Sequence, residues 1–233
     1  MKSPLQPIAC SLFFTLMILS VPRDSWAQTY VFKQGMNGYT GFQDVMLNSN
    51  FPSQSYGAEL GVVNQNAVSI MKFENLNIPS GKYSFQLELA CRSVVNSGTV
   101  NLWILKSLQW TDPHSNLNPP APDSTNPSWT FRNYSSIHWE SPGASGASER
   151  GAKIGEKWIS TTGVYPYSGI LEIINPKTAG FTITLANTGE IYFDSPDHSG
   201  DTNFPKLTLN LLVAYSPASL EGSTVFIPFR PLR

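Results

Sequence analysis

Cysteine is nearly absent from this 233-residue chain, which has only Cys10 and Cys91. Cys10 lies in an amino-terminal segment that we expect to be removed, so Cys91 would remain alone, without an intrachain disulfide partner. Charge is also scarce, because only 13% of the residues are charged and the formal net charge is −1. Nucleic-acid binding depends on clustered Lys and Arg, so this balance argues against a nucleic-acid partner.

Recognisable catalytic motifs are missing as well. The sequence has no Gly-x-Ser-x-Gly, Walker or His-Glu-x-x-His motif, and its three histidines, His114, His138 and His198, are not at metal-ligand spacing. Cys91 falls on the apolar face of a predicted strand, which indicates a buried, inert thiol. Glu140 and Glu149 could still form a glycosidase pair, which requires only two carboxylates at a fixed distance. We assign no catalytic residue and expect a protein that is not an enzyme.

The one long apolar run lies at the start of the chain. Lys2 precedes an apolar run over residues 8–21, and Ser25-Trp26-Ala27 places small residues where a signal peptidase reads them. The run is shorter than the ~20 residues of a spanning helix. Residues 1–27 are therefore predicted to be a signal peptide cleaved after Ala27, and the protein is expected to be secreted or displayed at the cell surface, without a membrane span.

The rest of the sequence alternates with a period of two. Tyr83 to Cys91, Phe181 to Leu185 and Leu207 to Val213 each alternate apolar with other side chains, as half-buried strands do. Eight further candidate strands are Tyr30–Lys33, Gln43–Leu47, Leu60–Asn64, Val68–Phe73, Val100–Lys106, Lys157–Ser160, Ile170–Ile174 and Ile191–Asp194. About ten short strands with intervening turn residues predict an all-β antiparallel sandwich of jelly-roll type, with a closed barrel as the competing architecture.

One long connection rich in Pro, Asn and Ser interrupts this pattern. The segment Leu108–Gly146 contains three of the six tryptophans, Trp110, Trp129 and Trp139. Connections of this length are usually functional or pinned to the core, so the indoles either hold the loop down or form a stacking surface. We expect one sandwich domain over residues 28–215, followed by a carboxy-terminal tail over 216–233.

The order of several short motifs resembles one family of surface modules. The motifs are Gln43-Asp44-Val45-Met46-Leu47, Asn50-Phe51-Pro52-Ser53-Gln54-Ser55-Tyr56-Gly57, Ser69-Ile70-Met71-Lys72-Phe73-Glu74-Asn75-Leu76, Trp110-Thr111-Asp112, Ser128-Trp129-Thr130-Phe131-Arg132 with Trp139 and Pro142-Gly143, and Phe204-Pro205-Lys206-Leu207. Together they resemble the DNRLRE-type modules, which overlap the family-96 carbohydrate-binding modules and the disaggregatase-related repeats. Lys72 and Glu74 replace the family's Arg and Asp. The resemblance implies a secreted jelly-roll sandwich associated with polysaccharides, in which the three tryptophans belong to the framework.

Carbohydrate binding needs aromatic faces for sugar rings and polar groups for the hydroxyls. The candidate residues are Trp129, Arg132, Tyr134, His138, Trp139 and Lys72. Since the resemblance favours the tryptophans as pins for the loop, Arg132 and Tyr134 are the better candidates for ligand contact.

A calcium ion is the cofactor that the sequence permits, although none is required. Asp194, Asp197 and Asp201 place three carboxylates in one turn, and such hard oxygen ligands suit Ca²⁺. Asp44 would join this site only if the first and last strands lie close together.

The sequence thus predicts a secreted, non-catalytic module that binds an extracellular or cell-surface polysaccharide. Two alternatives remain open, a structural surface or matrix protein that mediates protein contacts and, less favoured, a small polysaccharide-processing enzyme.

Overall fold

The computed structural model describes residues 28–57, 61–114, 116–117, 125–174, 177–197 and 203–215. The predicted signal peptide and the tail after residue 215 lie outside these residues. Strands dominate the described chain, and its one helical element is a short 3-10 turn, Met36–Gly38. Among the described residues, no helix is long and apolar enough to cross a membrane.

The described residues contain fifteen strands, numbered here in chain order. They are β1 (Thr29–Lys33), β2 (Phe42–Asn48), β3 (Ser55–Tyr56), β4 (Gly61–Asn64), β5 (Ala67–Phe73), β6 (Gly81–Asn96), β7 (Gly98–Leu105), β8 (Asn116–Leu117), β9 (Phe131–Asn133), β10 (Ile137–His138), β11 (Arg150–Ile159), β12 (Gly163–Ile173), β13 (Ala179–Leu185), β14 (Glu190–Phe193) and β15 (Lys206–Ala214). The prediction of an all-β antiparallel sandwich is confirmed, with more strands than the ten expected.

The pairings define two layers. In the first layer the strands are ordered β1-β15-β6-β12, and in the second β3-β2-β5-β13-β7-β11. The long strand β6 leaves the first layer at its carboxyl end, where it pairs with β14, and β14 pairs in turn with β4. Since β4 also pairs with β5, and β8 pairs with β3 at the outer end of the second layer, hydrogen bonding is continuous between the layers, and thirteen of the described strands form one network.

The main core lies between the layers. Tyr83, Phe85 and Leu87 of β6 face Phe181 and Ile183 of β13 in one cluster of buried side chains. These are the residues that the period-two pattern places on one face of each strand. Burying this face removes a large apolar area from water, the main driving force for folding such a domain.

The second layer is buried on its outer face as well. Val45, Leu47 and Ile70, which point away from the main core, pack with Trp110 and Trp139 in a separate cluster. Because both faces are covered, five of the seven residues of β2 and six of the seven in each of β5 and β13 are buried, so burial does not alternate along these strands.

Two predicted details differ from the structure. The strand predicted over Ile170–Ile174 begins earlier, because β12 covers Gly163–Ile173 and includes Pro166, which pairs with Glu88. Pro fits there because β12 is an edge strand beyond which no further strand pairs among the described residues. In β15 the register shifts between Leu211 and Val213, so Val213 is exposed although the alternation had placed it on the buried face.

Candidate functional site

The long loop is held on the outer face of the second layer by two indoles. Trp110 and Trp139 are 2% and 4% exposed and pack against Val45 and Ile70. The ring nitrogen of Trp139 donates to the Ser128 carbonyl at 2.8 Å, which satisfies its only polar atom inside the protein. Both rings therefore pin the loop, which is one of the two roles that the sequence allowed. As a predicted sugar contact, Trp139 is wrong, because its ring is covered by protein.

Lys72 was also placed in the sugar-binding set, and the structure corrects that prediction. It lies on the outer face of β5 and is 2% exposed. Its ammonium donates to Glu74 at 2.6 Å, to the Leu108 carbonyl at 3.1 Å and to the Trp110 carbonyl, and it lies 4.5 Å from the Trp110 ring centroid. A buried ammonium needs such partners to offset its lost hydration. Lys72 anchors the loop and is not presented to a ligand.

Trp129 has an intermediate position. The residue is half-buried and packs against the cluster that contains Trp110 and Trp139. Gly143 lies against its ring with a positive φ of 72°, and a Cβ at Gly143 would come within 2.7 Å of the indole. The backbone carbonyl of Trp129 accepts from the Gly143 nitrogen at 2.8 Å. This ring belongs mainly to the loop's packing, with one part open to solvent.

The remaining predicted aromatic residues meet on one small hairpin. Strands β9 and β10 pair with each other alone and form a two-stranded ribbon over residues 131–138. The Phe131 ring lies 5.5 Å from the ring of Tyr134 and 4.3 Å from that of His138. His138 is exposed, while Phe131 and Tyr134 are partly exposed. Phe131 was absent from the predicted set, although it stands in the same motif as Trp129 and Arg132.

Arg132 points to a different place from its neighbours on the hairpin. Its Nη1 donates to the Ser107 hydroxyl at 3.4 Å, and its side chain lines an open groove of about 780 Å³. The groove lies between residues 104–109, β9 and the β12–β13 region, and Tyr134 and His138 are not among its lining residues. The predicted site is thus divided into an aromatic hairpin and an adjoining groove that share Arg132.

A second candidate site is a cluster of acidic groups at the open edge of β2. Asp112 accepts from the backbone nitrogens of His114 at 2.8 Å and Asp44 at 3.2 Å. The His114 ring contacts Asp197 at 3.1 Å, and Ser195 donates to Asp44 at 3.0 Å. Ligand atoms of Asp112, His114 and Asp197 all lie within 4.8 Å of one another, a spacing that one metal ion could bridge.

The pKa values of three groups in this cluster are shifted upward. Burial raises the pKa of Asp112 to about 7, and its hydrogen bond with Asp197 adds to the effect. Burial and the nearby charge of Asp112 raise the pKa of Asp44 well above its ordinary value. Burial lowers the pKa of His114, but the two neighbouring carboxylates outweigh it and the net shift is upward. The cluster therefore favours a bound proton or another cation.

The composition of this cluster differs from the predicted calcium site. Asp197 belongs to both the predicted and the observed group. Asp44 lies close to the turn that follows β14, and such proximity was the condition for Asp44 to join the site. Asp194 is 8% exposed and is not one of the three grouped residues, whereas Asp112 and His114 come from the long loop. Asp201 lies outside the described residues. The Trp-Thr-Asp motif ending at Asp112 was the signal that the sequence offered.

Glu140 and Glu149, the candidate glycosidase pair, have structural roles. Glu149 is buried and accepts from the Glu140 backbone nitrogen at 2.8 Å, and Glu140 accepts from the Ser148 nitrogen at 2.6 Å. Gly146 fills the space between them, since a Cβ there would lie 2.3 Å and 2.6 Å from their carboxylate oxygens. Cys91 is buried, and its burial raises the thiol pKa to about 11, as expected of an inert thiol.

Comparisons with known proteins identify no family. No protein-family model matches the chain, and no curated protein matches it. Among solved structures, the chain is similar to one described as Cowpea mosaic virus top component, naturally occurring empty particles, with 10% identity, a TM-score of 0.24 and coverage of 89% of this chain and 93% of that chain. A likeness at this level carries no argument about fold or function. The resemblance to carbohydrate-binding modules therefore stays a prediction.

Proposed function

We propose that the protein is an exported, non-catalytic module that binds a polysaccharide through the β9–β10 hairpin. The observation that carries the proposal is the group formed by the partly exposed rings of Phe131 and Tyr134 and the exposed ring of His138, on a ribbon within a pinned loop. Aromatic rings offer apolar faces to the C–H side of a sugar, and their polar atoms can meet hydroxyls. Export is proposed from the amino-terminal segment 1–27.

The way the hairpin is supported fits a binding role. Two buried indoles and the buried Lys72 fix the loop beneath the hairpin. The Tyr134 nitrogen donates to the Asn126 carbonyl at 3.0 Å, and the Ser128 nitrogen donates to the Phe131 carbonyl at 2.7 Å. A surface held in this way loses little conformational entropy when a ligand binds.

Affinity electrophoresis against a panel of neutral and acidic polysaccharides tests the proposal. We expect at least one polymer to retard the wild-type protein, and we expect Tyr134→Ala and His138→Ala each to weaken that retardation with an unchanged melting temperature. Trp158→Ala is the control, because Trp158 is 58% exposed but lies on β11, in a different element. If no polymer retards the protein, the proposal fails and a structural surface protein becomes the better interpretation.

The control also has a diagnostic outcome. If Trp158→Ala abolishes retardation and the two hairpin variants do not, the sugar site lies on β11 and the hairpin is excluded. Release of reducing ends or of unsaturated uronic products from any bound polymer would instead place the protein among the enzymes.

A further inference from the structure

The guanidinium of Arg132 is the cation in the groove that lacks a fixed partner. Its single hydrogen bond within the described part of the chain, to the Ser107 hydroxyl, is 3.4 Å long, at the outer limit for such a contact. Its Nε is shielded from solvent and has no acceptor among the described residues. No carboxylate of the described chain forms an ion pair with it, whereas Lys72 and Lys206 each have one.

The other charged groups of the groove are already engaged. Lys106 donates from its ammonium to the Ala147 carbonyl at 2.7 Å. The Glu172 carboxylate lies near Tyr215 and raises the pKa of the Tyr215 hydroxyl to about 12. Among the described residues Glu172 forms no ion pair with Arg132, although both residues line the same groove.

Apolar side chains supply much of the remaining wall. Ile104, Leu108 and Ile170 line the groove beside Arg132. An apolar wall strengthens the attraction between the guanidinium and an anion by lowering the local dielectric constant. The volume of about 780 Å³ is within the range of pockets that hold small organic ligands or one to a few sugar units.

We propose that this groove takes a carboxylate-bearing sugar of the bound polysaccharide, with Arg132 as the paired cation. The planar guanidinium matches a carboxylate in a two-point hydrogen bond, and the apolar wall accepts the C–H face of the ring. The inference rests on the proposed function and narrows it, because it makes the ligand a uronic-acid polymer that runs from the hairpin into the groove.

Pairs of polymers that differ in charge test the proposal. Polygalacturonate is compared with its methyl ester, and carboxymethyl cellulose with hydroxyethyl cellulose, by affinity electrophoresis at low and moderate salt. We expect the acidic member of at least one pair to bind more tightly, and Arg132→Gln to weaken that binding about tenfold or more. Arg132→Lys retains the charge but not the two-point geometry, so it should recover only part of the affinity.

A second variant leaves Arg132 in place. Gln109 is exposed and lines the groove, so Gln109→Glu offers Arg132 a carboxylate without removing any buried group. It should lower affinity for the acidic polymer and leave the melting temperature unchanged. Lys153→Gln is the matched control, since Lys153 is an exposed cation on β11 whose loss should have no such effect.

The outcomes separate the two proposals. The groove assignment is overturned if acidic and neutral polymers bind equally well. It is also overturned if neither Arg132→Gln nor Gln109→Glu changes the binding of the acidic polymer. In both cases the hairpin proposal stands if Tyr134→Ala still weakens binding. Failure of every polymer to bind overturns both.

Discussion

Stability should fall as pH rises through neutrality, because the acidic cluster at the edge of β2 binds protons more tightly in the folded protein than in the unfolded chain. The pKa of Asp112 is raised from 3.8 to about 7, and those of His114 and Asp44 are also raised. A group with a raised folded-state pKa contributes stability that is present at low pH and lost as pH rises through that pKa. All three shifts therefore act in one direction.

The size of the effect follows from Asp112. Between the unfolded and folded pKa values of Asp112, each pH unit changes the free energy of unfolding by about 1.4 kcal/mol. The protonated carboxyl therefore contributes on the order of 2–3 kcal/mol at pH 5 and almost nothing at pH 8. For a domain of this length, such a loss lowers the melting temperature by about 5–10 °C. Urea unfolding at pH 5, 6, 7 and 8, in EDTA, measures the free energy of unfolding directly.

Asp112→Asn isolates the responsible carboxyl. The amide cannot ionise. In the wild-type protein the two carboxylate oxygens of Asp112 each accept from one backbone N–H group, those of Asp44 and His114, whereas an amide has only one acceptor oxygen for both. We expect the variant to be less stable than wild type by about 1 kcal/mol at pH 5 and more stable at pH 8, so that the two curves cross. Glu156→Gln, at an exposed carboxylate, should keep the wild-type slope. A wild-type protein equally stable at pH 5 and pH 8, or more stable at pH 8, would refute the reasoning.

Four further outcomes follow from the same contacts. Calcium should raise the melting temperature at pH 8 more than at pH 5, and Asp197→Asn should abolish the difference; a melting curve indifferent to calcium contradicts the predicted calcium site. Lys72→Met should cost about 3–5 kcal/mol in urea unfolding, because Glu74 and two loop carbonyls lose a buried partner; a loss below 1 kcal/mol contradicts the anchoring role. Trp110→Ala should cost about 3–5 kcal/mol by the same assay, since the ring is 2% exposed. Gly57→Ala should cost about 1–3 kcal/mol, because its Cβ would meet Asp112 at 2.4 Å, and an unchanged melting temperature would exclude this close contact.

Strands with one wet face were readable from the sequence, and strands covered on both faces were harder to interpret. Tyr83 to Cys91 alternates and is the buried face of β6, as predicted. In β5, by contrast, Lys72 interrupts an apolar run, and a lone Lys within a strand normally indicates a solvent-facing position. The structure buries it because the loop crosses above β5 and offers two carbonyls and an indole face. Such a partner is distant in sequence, and no local pattern reveals it.

The candidate sites show the same limit. The hairpin residues Arg132, Tyr134 and His138 are near one another in sequence, so their grouping could be foreseen, although not the different direction of Arg132. The acidic cluster joins β2, the loop and the turn after β14; the predicted calcium site contained Asp197 and, conditionally, Asp44, but neither Asp112 nor His114. Groups that come together through long-range packing are poorly predicted by spacing, since spacing describes only neighbours along the chain.

The loop ties the two sites together physically. Its segment 108–114 begins over Lys72 and the Trp110 pocket and ends at Asp112 and His114 in the acidic cluster, while Leu108 and Gln109 form one side of the groove. Lys72 and the Trp110 ring are buried and hold the part of this segment that borders the groove. If the cluster loses its protons without gaining a cation, repulsion between Asp112 and Asp197 acts on the other end of the segment. We therefore expect the groove beside Arg132 to keep its geometry at a pH that weakens the cluster.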